Sequence, residues 1–233
     1  MKFGVPQGSV LGPILFVLDT QPLSDIVHCH SLSYHSLSDD NQLYKSGHVL
    51  QLQDIIQSTQ CCISYLKDWM TNNKLQLNED KTDTILISAR KMLNNAPLPS
   101  EIRMNSTNIK LSQTVRNLGV TVDQTLSFQQ HISNVCRTCY LELRRISTIR
   151  HYPSEDTTKT LIFGFVLSRL DYCNALLSGT PKHLLDRLQK VQNDAARLTY
   201  QSSKFNHVTP LLHTLHWLPT EKKDCFQTCF TLL

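Results

Sequence analysis

The chain has 233 residues, of which 40% are hydrophobic and 18% charged, and its formal net charge is +4. That length supports one large domain or two small ones with real cores, and the balance excludes an intrinsically disordered chain. The longest apolar run, Val10 to Leu18, is interrupted by Gly12 and Pro13 and is too short to cross a bilayer, which takes about 20 residues.

The opening residues carry Gly4 and Pro6 where a signal peptide would need an apolar helix. The cysteines (Cys29, Cys61, Cys62, Cys136, Cys139, Cys173, Cys225 and Cys229) are spaced irregularly, unlike a secreted disulfide framework. An intracellular, nuclear or cytoplasmic protein is expected, neither secreted nor in a membrane. Cys136 and Cys139 form a CxxC within a helix-like stretch, where buried thiols are the expected state rather than zinc ligands.

A Gly/Pro-punctuated loop leads into a short helix over Val10 to Thr20, with Pro13 in its first turn. A polar stretch then reaches a turn at Asp39–Asp40. From Val49 to Asn73, Leu52, Ile55, Ile56, Thr59, Ile63, Leu66 and Met70 recur at steps of three and four, which predicts a long amphipathic helix. Leu75 and Leu77 form a brief extended piece, residues 78–81 a turn, and Thr84 to Ser88 a short strand. Residues 91–101 read as a loop. A hairpin is expected from Ile102/Met104 and Ile109/Leu111 across residues 105–108, followed by one strand from Val115 to Asp123.

After Asp123 the hydrophobic period becomes helical. Ile132, Val135, Cys139, Leu143 and Ile146 mark one helix, and residues 157–177 a second. Leu184, Leu185, Leu188, Val191, Ala195 and Leu198 mark a third, with a last piece after Pro219. The predicted fold class is α+β to residue 123 and all-α over 124–233, with a boundary near 124–131. Residues 132–204 hold 11 Lys/Arg against 6 Asp/Glu, a balance of +5, so the helical part is the basic part. A basic face attracts phosphate backbones, and it also serves as an ordinary solvated surface.

The chemistry-bearing residues begin with Phe3-Gly4-Val5-Pro6-Gln7-Gly8-Ser9-Val10-Leu11-Gly12-Pro13. Its glycines let backbone approach a partner without Cβ obstruction, and Gln7 offers both a donor and an acceptor. The string resembles the GVPQGSVLGP loop of reverse transcriptases from non-LTR (LINE-type), Jockey-like retrotransposons. Further blocks follow in the family's order: Leu37-Ser38-Asp39-Asp40-Asn41-Gln42-Leu43-Tyr44, then Trp69-Met70 with Asn73-Lys74-Leu75 and Asp80-Lys81-Thr82. Asn117-Leu118-Gly119-Val120 with Asp123, Phe128 and His131 comes next. Leu170-Asp171-Tyr172-Cys173-Asn174 and the stretch from Leu184 to Arg197 resemble the helical thumb and its continuation.

The resemblance implies a partial reverse-transcriptase palm, an antiparallel sheet with packed helices over 1–123, followed by a thumb-like helical region over 124–233. It implies RNA-directed DNA synthesis on an RNA template and a DNA primer. Asp39 and Asp40 are then the catalytic, metal-binding carboxylates, since two Mg²⁺ (or Mn²⁺) ions about 4 Å apart would stabilise the attacking and leaving oxygens. Lys81 matches a lysine that helps pyrophosphate leave. Pro6, Gln7, Gly8 and Ser9 would lie along template and nucleotide, and Leu118 and Gly119 at the grip on the primer end. Arg144, Arg145 and Arg197 are candidates for phosphate contact.

Two departures limit the expectation. In the family an upstream block supplies a further aspartate that bridges both metals, and here three residues precede Gly4. The family's Tyr-Ala before the aspartates is Leu37-Ser38, and His28 to Tyr34 is rich in His and Ser where an apolar strand belongs. The chain is therefore expected to be inactive as a polymerase by itself. The alternative is a non-catalytic nucleic-acid-binding or helical interaction module.

Overall fold

The computed structural model describes residues 8–95, 101–104 and 107–220. The chain forms two compact units, residues 1–112 and 113–233. Among the described residues the secondary structure is α+β, with three separate two-stranded antiparallel sheets and many helices.

The first unit opens with helix α1 (Gly12–Thr20) and helix α2 (Pro22–Cys29), the latter absent from the sequence expectation. Pro22 at the first turn of α2 needs no hydrogen-bond partner for its nitrogen and has the right φ for a helix. Leu23 and Val27, one turn apart, are the buried face. Strands β1 (Ser33–Leu37) and β2 (Asp40–Tyr44) form a hairpin, and helix α3 (Leu52–Asn72) follows a single 3₁₀ turn. The core holds Leu23, Val27 and Leu32 with Cys62 and Leu66 of α3. Tyr34 and Leu43, direct partners across the hairpin, both pack against that core. A pair sharing one face of an antiparallel ladder is what roots the hairpin, because period-two alternation keeps its neighbours outside.

Three expectations in this unit change. Helix α4 (Arg90–Asn95) occupies part of the expected loop. The strand expected over 84–88 reduces to one parallel bridge, Thr84 to Leu111. The expected hairpin forms from β3 (Glu101–Met104) and β4 (Thr107–Lys110), with Met104 opposite Thr107, so pairing begins within the residues expected as its turn.

In the second unit, the strand expected over 115–123 is itself a hairpin of β5 (Thr114–Asn117) and β6 (Val120–Asp123). Apolar alternation continues through a two-residue reversal, so it cannot distinguish one long strand from two short ones. Helices α5 (Gln129–Ile149), α6 (Glu155–Ile162), α7 (Ser168–Asp171), α8 (Lys182–Thr199) and α9 (Thr209–Thr214) complete the unit. The expected helix over 157–177 is interrupted by a π-helical segment, Phe163–Leu167, and ends at Asp171. Its buried apolar members are Ile162, Val166, Leu167 and Leu170, a spacing that a wider π turn reconciles with exposure of Phe163 and Phe165.

Val120 joins the core of this unit with Phe128, Ile132, Cys139, Ile146, Leu188 and Val191. That packing places β5–β6 with the helices, and the compact units divide between Ser112 and Gln113. Buried Gln192 donates to the Leu218 carbonyl at 2.9 Å, and Gln189 accepts from the Thr220 amide at 2.8 Å, tying the segment after α9 to α8. The piece expected after Pro219 lies outside the described residues beyond Thr220.

Candidate functional site

Asp39 and Asp40 stand at the tip of β1–β2. The ladder closes on the pair Leu37 and Asp40, leaving Ser38 and Asp39 as a two-residue turn. Ser38 has φ +59°, the left-handed conformation such tight turns demand. Asn41 holds the tip: its side-chain amide donates to the Asp39 carbonyl at 3.4 Å, and its own side-chain oxygen accepts from the Tyr34 hydroxyl. Tyr34 thus links the buried core to the turn. Neither Tyr34 nor Asn41 was assigned a role from the sequence. A polar residue just after the turn and an aromatic four residues before it are too common to single out. Both aspartates are exposed, Asp39 in the turn and Asp40 as the first residue of β2.

The other expected residues are distributed as follows. Gly8 is exposed at φ +87°, and a Cβ there would meet nothing within 4 Å, so conformation and not crowding calls for glycine. The Ser9 carbonyl accepts from Gly12 at 3.2 Å at the entry to α1. Pro6 and Gln7 lie outside the described residues. Lys81 ends the 3₁₀ turn Glu79–Lys81, its amide held by Asn78 and its side chain in solvent.

Leu118 and Gly119 form the tip of β5–β6, between the closing pair Asn117 and Val120. Their φ values are +44° and +86°. Two successive positive φ angles match the reversal that suits a twisted hairpin, with Gly in its favoured second place. Leucine in that conformation costs about 1–2 kcal/mol. The strain is held in place from α7's end: the Tyr172 hydroxyl donates to the Leu118 carbonyl at 2.6 Å. A Cβ on Gly119 would stand 3.4 Å from the Tyr172 ring.

In the helical unit, Arg145 pairs with Glu142 at 3.0 Å and Arg197 with Asp194 at 3.3 Å. Arg150 donates to the carbonyls of Leu198, Thr199 and Pro153, where it caps the carbonyl end of α8. These three are structural cations first. Arg137 and Arg144, two turns apart on the exposed face of α5, form no ion pair among the described residues. Exposed Leu141 lies between them on that face.

The CxxC thiols are buried. Burial, together with the neighbouring Cys136, pushes Cys139 up to about 12, and its Sγ lies 3.7 Å from the Val166 carbonyl. Burial likewise raises Cys136, against the opposing effect of Arg187. These are packing residues.

The divalent cations that the resemblance implies would need oxygen donors at the Asp39–Asp40 tip. Asp39 and Asp40 are hard oxygen donors, but among the described residues no cluster of three or more His, Cys, Asp or Glu side chains could hold a metal ion. Hard divalent cations take about six oxygens each, so this donor set does not by itself fit a two-metal centre. No helix among the described residues is long and apolar enough to cross a membrane.

A tight acidic hairpin beside a long amphipathic helix, followed by a helical unit that begins with a further tight hairpin, agrees with the order of motifs along the chain. The chain is related in sequence to the reverse transcriptases of Jockey-like non-LTR retrotransposons. Over 210 residues, 84% of its length, it is 24% identical to the probable RNA-directed DNA polymerase from transposon BS of Drosophila melanogaster, of which the match covers 22%. Over 150 residues, 62% of its length, it is 26% identical to the RNA-directed DNA polymerase from mobile element jockey of the same organism, of which the match covers 16%. The chain thus spans about a fifth of the length of the curated relatives it matches. No protein-family profile matches it, and no solved structure matches it.

Proposed function

We propose that this chain is a segment of an RNA-directed DNA polymerase that presents the family's acidic turn and holds template–primer duplex, and that it does not extend primers by itself. Residues 1–123 correspond to part of the palm and 124–233 to a thumb-like region. Asp39 and Asp40 are the carboxylates of the metal-binding turn. Gln7 and Gly8, with Pro6 and Ser9, lie along template and nucleotide, Lys81 near the departing pyrophosphate, and Leu118–Gly119 at the primer end. The observation that carries the reading is the Asp39–Asp40 tip itself, within a run of motifs that resembles the family's in order.

The restriction to binding follows from the donor set. In this reaction, divalent cations supply charge neutralisation at the attacking and leaving oxygens. Two adjacent carboxylates are too few ligands for that work, so no reaction step is assigned to this chain's residues. What they do is present a fixed acidic tip, rooted through Tyr34 and Leu43, and a basic helical face at Arg137 and Arg144 for phosphates.

The test is a pair of assays on the purified chain. Primer extension on an RNA template with Mg²⁺ or Mn²⁺ is expected to give no product, and fluorescence anisotropy to show salt-dependent binding of a DNA primer annealed to RNA. Extension that vanishes in Asp39→Ala would overturn the claim of inactivity. Absence of hybrid binding would overturn the template–primer role.

A further inference from the structure

Leu118 presents a physical conflict. It is a leucine in the left-handed conformation, with its side chain more than a third exposed, at a turn position where asparagine or glycine would relieve the backbone. Burial does not explain the choice. Backbone strain of this kind persists only where surroundings over-determine it, and here they include a side chain from far along the sequence. The Tyr172 hydroxyl donates to the Leu118 carbonyl at 2.6 Å, across 54 residues of sequence, while the edge of its ring limits the space beside Gly119.

Tyr172 is itself firmly based. Leu170 before it, and Asn174 and Leu177 after it, are buried, and Cys173 between them adopts φ +55°. Tyr172 is 51% exposed, so its ring contributes little to the core and acts as a post from the core to the hairpin tip.

We propose that Tyr172 is a positioning residue: it fixes the Leu118–Gly119 tip in the strained conformation that presents the leucine to an RNA–DNA duplex at the primer end. The inference rests on the reading of that tip as the primer grip. Tyr172 acts through the hairpin and touches no nucleic acid in this role. Pre-organising the tip removes an ordering cost from binding.

The test compares wild type, Tyr172→Phe, Gly119→Ala and the double variant, using a fluorescein-labelled DNA primer annealed to an RNA template. Tyr172→Phe keeps the ring and removes one hydrogen bond, so the hybrid Kd is expected to rise about fivefold. Amide exchange at Gly119 and Val120 should accelerate while the melting temperature holds, which a merely structural role would not produce. Gly119→Ala disturbs the same geometry, so the two losses should not add. Unchanged affinity in Tyr172→Phe, or additive losses, would overturn the inference. If wild type does not bind the hybrid, the primer-grip reading falls. Exchange at the tip then decides the positioning role alone: faster in Tyr172→Phe upholds it, unchanged overturns it.

Discussion

The Asp123 carboxylate accepts the Phe128 backbone amide at 2.8 Å. Phe128 is the residue preceding α5, and at φ +54° its own side chain offers no cap. Asp123 supplies it from five residues upstream, and also accepts from the amides and hydroxyls of Thr125 and Ser127. One carboxylate therefore ends β6, shapes the connection and starts α5. A negative charge at a helix N-terminus is favoured by the exposed amides there. Removing it by Asp123→Ala leaves several amides without partners, and is expected to lower stability by about 2 kcal/mol, read as a shifted urea midpoint with unchanged slope.

That same group sets one limb of the pH dependence. Burial alone would raise the Asp123 pKa, but the hydrogen bonds from Ser127 and Thr125 outweigh it and hold the carboxyl below its usual range. A depressed carboxyl pKa contributes stability above the unfolded value, about 3.9, and loses it as pH falls toward the folded one. Thermal melts of wild type and Asp123→Asn should converge below about pH 3.9, because protonation removes what the substitution removes.

His131 sets the other limb. It is buried at the start of α5, its Nδ1 accepts from the Thr121 amide at 3.3 Å, and burial lowers its pKa. The unfolded chain then takes up a proton, near pH 6.5, before the folded one does. Stability from this site is complete above about pH 6.5 and declines as pH falls through that value toward the folded pKa. His131→Asn keeps an acceptor for Thr121 without a titrating ring. Its melting temperature should be flat between about pH 7 and 5 where wild type falls, and a parallel fall in both would remove His131 as the cause.

Binding should report the two α5 arginines that form no ion pair among the described residues. Arg137→Ala with Arg144→Ala is expected to weaken hybrid binding and to reduce the slope of log K against log salt by about 2, one for each phosphate no longer neutralised. Arg145→Ala should change the slope less, because Glu142 already holds Arg145 at 3.0 Å. Equal slopes for the double variant and wild type would place the duplex on another face.

Thiol reactivity should separate packing cysteines from surface ones. Cys29 and Cys61 are exposed, while Cys62, Cys136 and Cys139 are buried and have raised pKa values. Peptide mapping after brief alkylation at neutral pH is expected to find label on Cys29 and Cys61 and little on the other three. Rapid labelling of Cys139 would contradict its place in the core.

Much of the chain's organisation was legible without coordinates. The steps of three and four in α3, α5 and α8 marked those helices because each buries one stripe, and burial selects residue type directly. The acidic tip was legible through its neighbours, since Leu37 to Tyr44 resembles the family's block as a unit. Helix α2 was not, because the His- and Ser-rich stretch at its end masks the Leu23 and Val27 pair that forms its buried face. Nor was the reversal at Leu118–Gly119, where leucine contradicts the usual turn residues.

The sequence by itself determined the likeness to RNA-directed DNA polymerases of mobile elements, the helical character of the second half and the Asp39–Asp40 pair, because these rest on local periodicity and on motif order. Only the tertiary structure decided that β5–β6 is a hairpin packed with the helices and that Arg150 and Arg197 serve carbonyls and carboxylates. It alone placed the Tyr172 hydroxyl on the Leu118 carbonyl. The reason is distance along the chain. A contact between residues 54 apart leaves no periodic trace, and its effect, a leucine held against its own backbone preference, is visible only once both partners have coordinates.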